Sequence, residues 1–152
     1  MNFSNVSPWF GRFVILAVAC LFAAISLKFV LDPLQAAAGS GIALQSALGY
    51  TNTRAGFGGF PLGFAAILVF CLFSSRRLLP ALASIATVAA VILAVRFFGA
   101  ELDGTLRESA RLLIPEGAVL AISLAGALME MKRRRSDESS ASARPGPVGS
   151  RP

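Results

Sequence analysis

Histidine is absent from this 152-residue chain. That removes the usual general base near neutral pH, the usual haem ligand and most zinc sites. Cysteine is scarce. Cys20 and Cys71 each lie inside an apolar stretch, with no C-x-x-C spacing, and read as small hydrophobes in the core. No metal or cofactor is therefore expected. Charge is scarce too: 14% of residues are Asp, Glu, Lys or Arg, against roughly a quarter in a soluble domain. The deficit is concentrated, so long segments carry no charge at all. The net charge of +6 does not point to nucleic acid, because the cations flank apolar stretches and no basic stripe with interleaved aromatics occurs.

What is abundant is apolar sequence. Hydrophobic residues make up 55% of the chain and mean hydropathy is +0.70. Four stretches, about 13–31, 55–73, 78–98 and 112–131, each approach the roughly 20 residues needed to cross a 30 Å hydrocarbon core. The chain is read as all-α, an integral membrane bundle of four transmembrane helices. A short helical segment lies between helices 1 and 2. Three regions follow: an N-terminal interfacial segment at 1–12, the four-helix domain at 13–131, and a basic tail at 132–152. The tail is rich in Ser, Pro, Gly and Arg and is expected to be disordered.

The first stretch follows Arg12, as a signal peptide would, but it is longer than the about 7–15 residues of a signal core. It reads as an uncleaved span that stops at Asp32-Pro33. Trp9 and Phe10 beside Arg12 suit the headgroup layer, and Lys28 lies where its stem can snorkel. Residues 33–53 are too broken to span. Two helical pieces are expected there, Pro33 to Ala38 and Ile42 to Leu48, hinged at Gly39-Ser40-Gly41. In span two, Gly58, Gly59 and Gly63 are the candidate packing glycines. Gly59 and Gly63 form a GxxxG that lets helices approach, within this chain or across a dimer. Pro61 predicts a kink.

Orientation follows the cations. Arg12, Arg76, Arg77 and Lys132 to Arg135 form nearly pure basic clusters at one end. Lys28, Arg54, Arg96, Arg107 and Arg111 at the other end are interleaved with acids. Both termini are therefore expected in the cytoplasm.

That topology gathers the unusual polar residues on the outer side: Asp32, Asn52, Arg54, Arg96, Asp103 and Glu116. An ionisable group inside a span marks a functional site by default. Arg96 lies about one turn from the end of its span and can either snorkel to the interface or pair. Glu116 has a shorter reach and sits inside span four. It requires protonation, water or a partner, and Arg96 and Arg54 are the natural partners.

The ordered set of these features resembles the bacterial four-span family catalogued as domain of unknown function 4345. The resemblance covers about 13–131. It rests on Asp32-Pro33, an Ala-rich segment, Asn52-Thr53-Arg54-Ala55 leading into Gly58-Gly59, Arg76-Arg77, Arg96, Asp103-Gly104 and Glu116. The family pattern often carries an acid near the position of Asn52, where this chain has an amide. The resemblance implies a small multi-span protein of the bacterial inner membrane and supplies no activity.

Three functions remain open on the residues. The first is a binding or accessory module whose outer polar cluster holds a lipid, a quinone or a partner protein, including a second copy of the chain. The second is a proton-coupled transporter or membrane enzyme using Glu116. The third is a structural protein whose charges fix helix register.

Overall fold

The computed structural model describes the backbone of residues 3–142 and the side chains of residues 8–140. Among them there is no strand, and the chain is an all-α bundle of four long helices. Helix α1 (Phe3–Leu31) is followed by the short α2 (Pro33–Gly39). The second span is composite: α3 (Ala47–Thr53), a π-helical turn (Arg54–Gly59) and α4 (Phe60–Leu72). Helices α5 (Ser75–Leu102) and α6 (Leu106–Ser142) complete an up-and-down array. By length and composition these four segments suffice to cross a membrane. The molecule is a multi-pass integral membrane protein.

The link after α1 is fixed by local chemistry. Asp32 caps α2, its carboxylate accepting the Gln35 N–H at 3.0 Å. Helix α2 ends in a Schellman arrangement. The Ile42 N–H donates to the Ala37 carbonyl at 2.8 Å and the Gly41 N–H to Ala38 at 3.0 Å. Gly41 takes φ +74°, which is why a glycine stands there. The second helical piece expected from Ile42 does not form at that point. Residues 42–45 are non-helical, and the next helix starts only where Ser46 caps it, Oγ accepting from Gly49 at 3.1 Å.

The irregularity expected at Pro61 takes the form of the π-helical turn just before it. Proline has no N–H to give the carbonyl four residues back, and its ring crowds that carbonyl. Widening the preceding turn relieves both, and Phe60 donates instead to the Ala55 carbonyl.

Three helices extend further than hydropathy predicts. Helix α5 begins at Ser75 and α6 at Leu106, which places Pro80 and Pro115 inside their helices. The larger correction concerns the basic tail. Residues 132–142 continue α6 as helix, while 143–152 lie outside the described residues. Composition misses this because the segment is held by ion pairs at helical spacing. Arg133 bonds Glu130 at 2.7 Å and Asp137 at 3.1 Å, and Arg134 bonds Glu130 at 3.3 Å. Similarly, the N-terminal interfacial segment is part of α1 from Phe3 onward. Trp9 within it is exposed, with the Arg12 guanidinium 5.9 Å from its ring centroid.

Helix α1 packs against the other three spans. The core lies toward its first half, where Ile15, Leu68, Leu78, Leu82 and Ile85 are fully buried. Leu82 is the pivot. A Cβ added at Gly11 would lie 3.3 Å from one of its methyls, and one at Gly126 3.2 Å from the other. Two glycines thus open the space in which one leucine joins α1, α5 and α6. Large apolar side chains such as Phe60, Phe73 and Ile114 point outward, as expected where the solvent is lipid. Cys20, expected in the core, is on that outer surface, and Cys71 is half-buried.

Of the three candidate packing glycines, Gly58 meets a neighbouring helix. A Cβ there would fall 2.6 Å from Val30 Cγ2 and 3.4 Å from the Ser26 carbonyl, both on α1. Gly63 has open space around it, and Gly59 meets only its own π-helical turn at the Arg54 carbonyl. The close approach is set by the π-helical turn rather than by the GxxxG spacing.

Candidate functional site

The up-and-down order brings the end of α1, the start of the second span, the end of α5 and the start of α6 to one end of the bundle. Within that end the polar residues divide into separate arrangements. Arg96, in the last turns of α5, and Glu116, in α6, form a fork. Nε donates to Oε2 at 2.8 Å and to Oε1 at 3.0 Å, and Nη2 donates to Oε1 at 2.7 Å. Their side chains are 33% and 23% exposed. The pair is half-buried and geometrically well made, so both charges are compensated where water is scarce. The snorkelling alternative for Arg96 gives way to pairing.

Arg54 does a different job. Its Nε donates to the Val30 carbonyl at 3.1 Å. The last four carbonyls of an α-helix have no partner within it, so Arg54 satisfies one at the end of α1 and ties the π-helical turn to it. Asp32 is engaged in capping α2 and lines an open groove of about 710 Å³ between α1 and α2, shared with Lys28, Gln35 and Ser40. Asn52 and Asp103 are exposed. Among the described residues no hydrogen bond or ion pair joins Arg96–Glu116 to Arg54, Asp32, Asn52 or Asp103. Nor does any group of three Cys, Asp or Glu residues come together to hold a metal.

Behind the fork lies a cavity. It is about 320 Å³, sits between α1, α5 and α6, and is walled by Phe22, Ile25, Ile85, Ile92 and Leu112, with Glu116 also in its wall. Leu21 and Val119 are shared with a second recess of about 160 Å³ that continues down the α1–α6 seam toward Phe13. An apolar space with one polar group in its wall is the common form of a small-molecule site, and about 300 Å³ is the lower end of the usual size range. The guanidinium of Arg96 keeps three of its five N–H groups free of Glu116, those on Nη1 and the second on Nη2.

Other polar residues emerge that hydropathy passes over. Glu130, at the opposite end, is 1% exposed and held by Arg133 and Arg134. Its signal was present in sequence, as an acid followed by cations three and four positions on. Ser123 is buried and turned back on its own helix, donating to Val119 and Leu120 carbonyls at 2.8 and 3.0 Å. Ser26, fully buried beside Gly58, has a hydroxyl without a hydrogen-bond partner among the described residues. No sequence signal distinguishes it from the other serines.

The chain matches no protein-family model, no curated protein and no solved structure. The resemblance to domain of unknown function 4345 therefore rests on the ordered residues alone.

Proposed function

We propose that this is a binding module of the bacterial inner membrane, with both termini in the cytoplasm, that holds an apolar molecule by a carbonyl head. The observation that carries the proposal is the Arg96–Glu116 fork beside the apolar cavity between α1, α5 and α6. Glu116 already balances the charge of Arg96 and would repel a phosphate. A neutral acceptor suits the free N–H groups of Arg96 better, as a quinone or a glyceride ester provides; Arg96 is not itself in the cavity wall, so the head would reach past Glu116 to meet it. The chain of such a molecule follows the α1–α6 seam. The orientation is supported by the basic end formed by Arg76, Arg77 and Lys132 to Arg135.

The test is the lipid content of protein purified in mild detergent, measured by mass spectrometry of the organic extract. One carbonyl-headed apolar species should be enriched over the bulk membrane extract and depleted in Val88→Phe, because Val88 is also in the cavity wall and the larger ring would fill the space. Extracts of both proteins identical to bulk lipid would refute the proposal. A structural reading is favoured by the completeness of the fork, which joins α5 to α6 without any ligand. In that reading, cavity filling leaves the lipid content unchanged while breaking the fork lowers the melting temperature.

A further inference from the structure

The opposite end of the bundle carries an excess of guanidinium groups around one residue. Ser75, the first residue of α5, is reached from two helices. Arg12 of α1 donates to its Oγ at 3.3 Å, and Arg134 of α6 donates to its carbonyl at 3.3 Å and to that of Arg76 at 2.8 Å. Arg76 and Arg77 follow directly in the chain, both exposed. Of these four arginines, only Arg134 has a carboxylate partner among the described residues, Glu130, which it shares with Arg133. Arg12 Nε is buried without a hydrogen-bond partner, so this guanidinium uses one bond of the five it can donate.

The aromatic neighbours place this surplus in the headgroup layer. Trp9 is 71% exposed beside Arg12. Arg77 lies 4.3 Å over the ring of the exposed Phe70, and Phe73 stands exposed at the end of α4. Aromatic rings at this depth are characteristic of the membrane–water boundary. Unbalanced arginines there meet the phosphate oxygens of lipids, which guanidinium groups bind through paired N–H donors.

We propose that Arg12, Arg76, Arg77 and Arg134 form a site for the phosphodiester headgroup of an anionic phospholipid, at the seam where α1, α5 and α6 meet. It is separate from the carbonyl-binding cavity and does not depend on it. The headgroup supplies the acceptors that the protein lacks, and its chains run down the exposed apolar faces of the same helices.

The test uses the full chain in phosphatidylcholine bilayers containing spin-labelled lipid, and compares association of labelled phosphatidylglycerol with labelled phosphatidylcholine. Phosphatidylglycerol should be preferred by roughly fivefold for each arginine engaged at the surface, and the preference should fall as salt rises. Arg76→Gln with Arg77→Gln should remove most of it, whereas Arg76→Lys with Arg77→Lys, which keeps the charges but loses the paired donors, should leave a preference between those of the wild type and the glutamine variant at an unchanged melting temperature. Equal association of the two lipids with the wild-type protein overturns the proposal, as does an undiminished preference in the glutamine variant. Abolition of the preference by millimolar inorganic phosphate at constant ionic strength also overturns it, by reassigning the site to a soluble anion.

Discussion

The guanidinium of Arg134 donates to the backbone carbonyl of Arg76 at 2.8 Å. Four residues after Arg76 stands Pro80, which has no N–H to offer that carbonyl. The side chain of α6 therefore takes the place of a main-chain donor missing from α5, while its Nε bonds Glu130 at 3.3 Å. A proline in one helix and an arginine in another are two halves of one local solution.

Replacing Arg134 with Met should therefore leave both a carbonyl and part of a buried carboxylate without a donor. Arg76 is exposed and Glu130 keeps its bonds to Arg133, so the expected loss is about 0.5–1.5 kcal/mol, the net worth of a typical hydrogen bond. Unfolding in detergent by circular dichroism checks it. If Pro80→Ala, which restores the helical N–H, is combined with Arg134→Met, the carbonyl's share of the loss should disappear and the share due to Glu130 should remain.

The two glycines Gly58 and Gly63 should respond oppositely to alanine. At Gly58 the new methyl meets Val30 at 2.6 Å, and overpacking of this kind costs about 1–3 kcal/mol. At Gly63 nothing lies within 4 Å, so alanine should stabilise the helix by about 0.5–1 kcal/mol through its higher helix propensity. Equal melting temperatures for the two variants would contradict the close packing of Gly58 on α1.

Leu82→Ala should be among the most damaging single changes. The side chain is fully buried between Gly11 and Gly126, neither of which has a side chain to fill the space it would leave. Losses of about 2–5 kcal/mol are typical of such truncations. Chemical denaturation of the reconstituted variant measures it.

A double-mutant cycle on Arg96→Met and Glu116→Gln should give a coupling energy of about 0.5–3 kcal/mol. The pair is partly buried, with side chains 33% and 23% exposed, so either single change should cost less than the about 3–5 kcal/mol seen when a fully buried pair is broken. A coupling near zero would mean that the fork contributes nothing to the joining of α5 and α6.

Much of the architecture was legible in the chain. Four apolar runs separated by charge can satisfy their backbone groups in lipid only as helices or as a closed barrel, and runs of this length and composition select helices. The arginine and glutamate of the fork were identifiable because a charge inside such a run is rare. The continuation of α6 through Lys132–Ser142 was less legible, because hydropathy registers the hydrocarbon layer and not the helix that leaves it. The division of the outer polar residues was not legible. Asp32, Arg54 and Arg96 share one end of the bundle, but each is satisfied by a different neighbour: the Gln35 N–H, the Val30 carbonyl and Glu116.

The sequence by itself determined that the chain crosses a membrane four times as helices, because hydrophobic length and charge spacing are one-dimensional properties. It also determined which end each charge occupies. Only the tertiary structure decided partners: Arg96 with Glu116, Arg134 with the Arg76 carbonyl, and Leu82 between Gly11 and Gly126. Partnership depends on how each helix is rotated and how closely it approaches its neighbours. Those quantities are set by packing among all the helices at once, and no single helix carries them in its own residues.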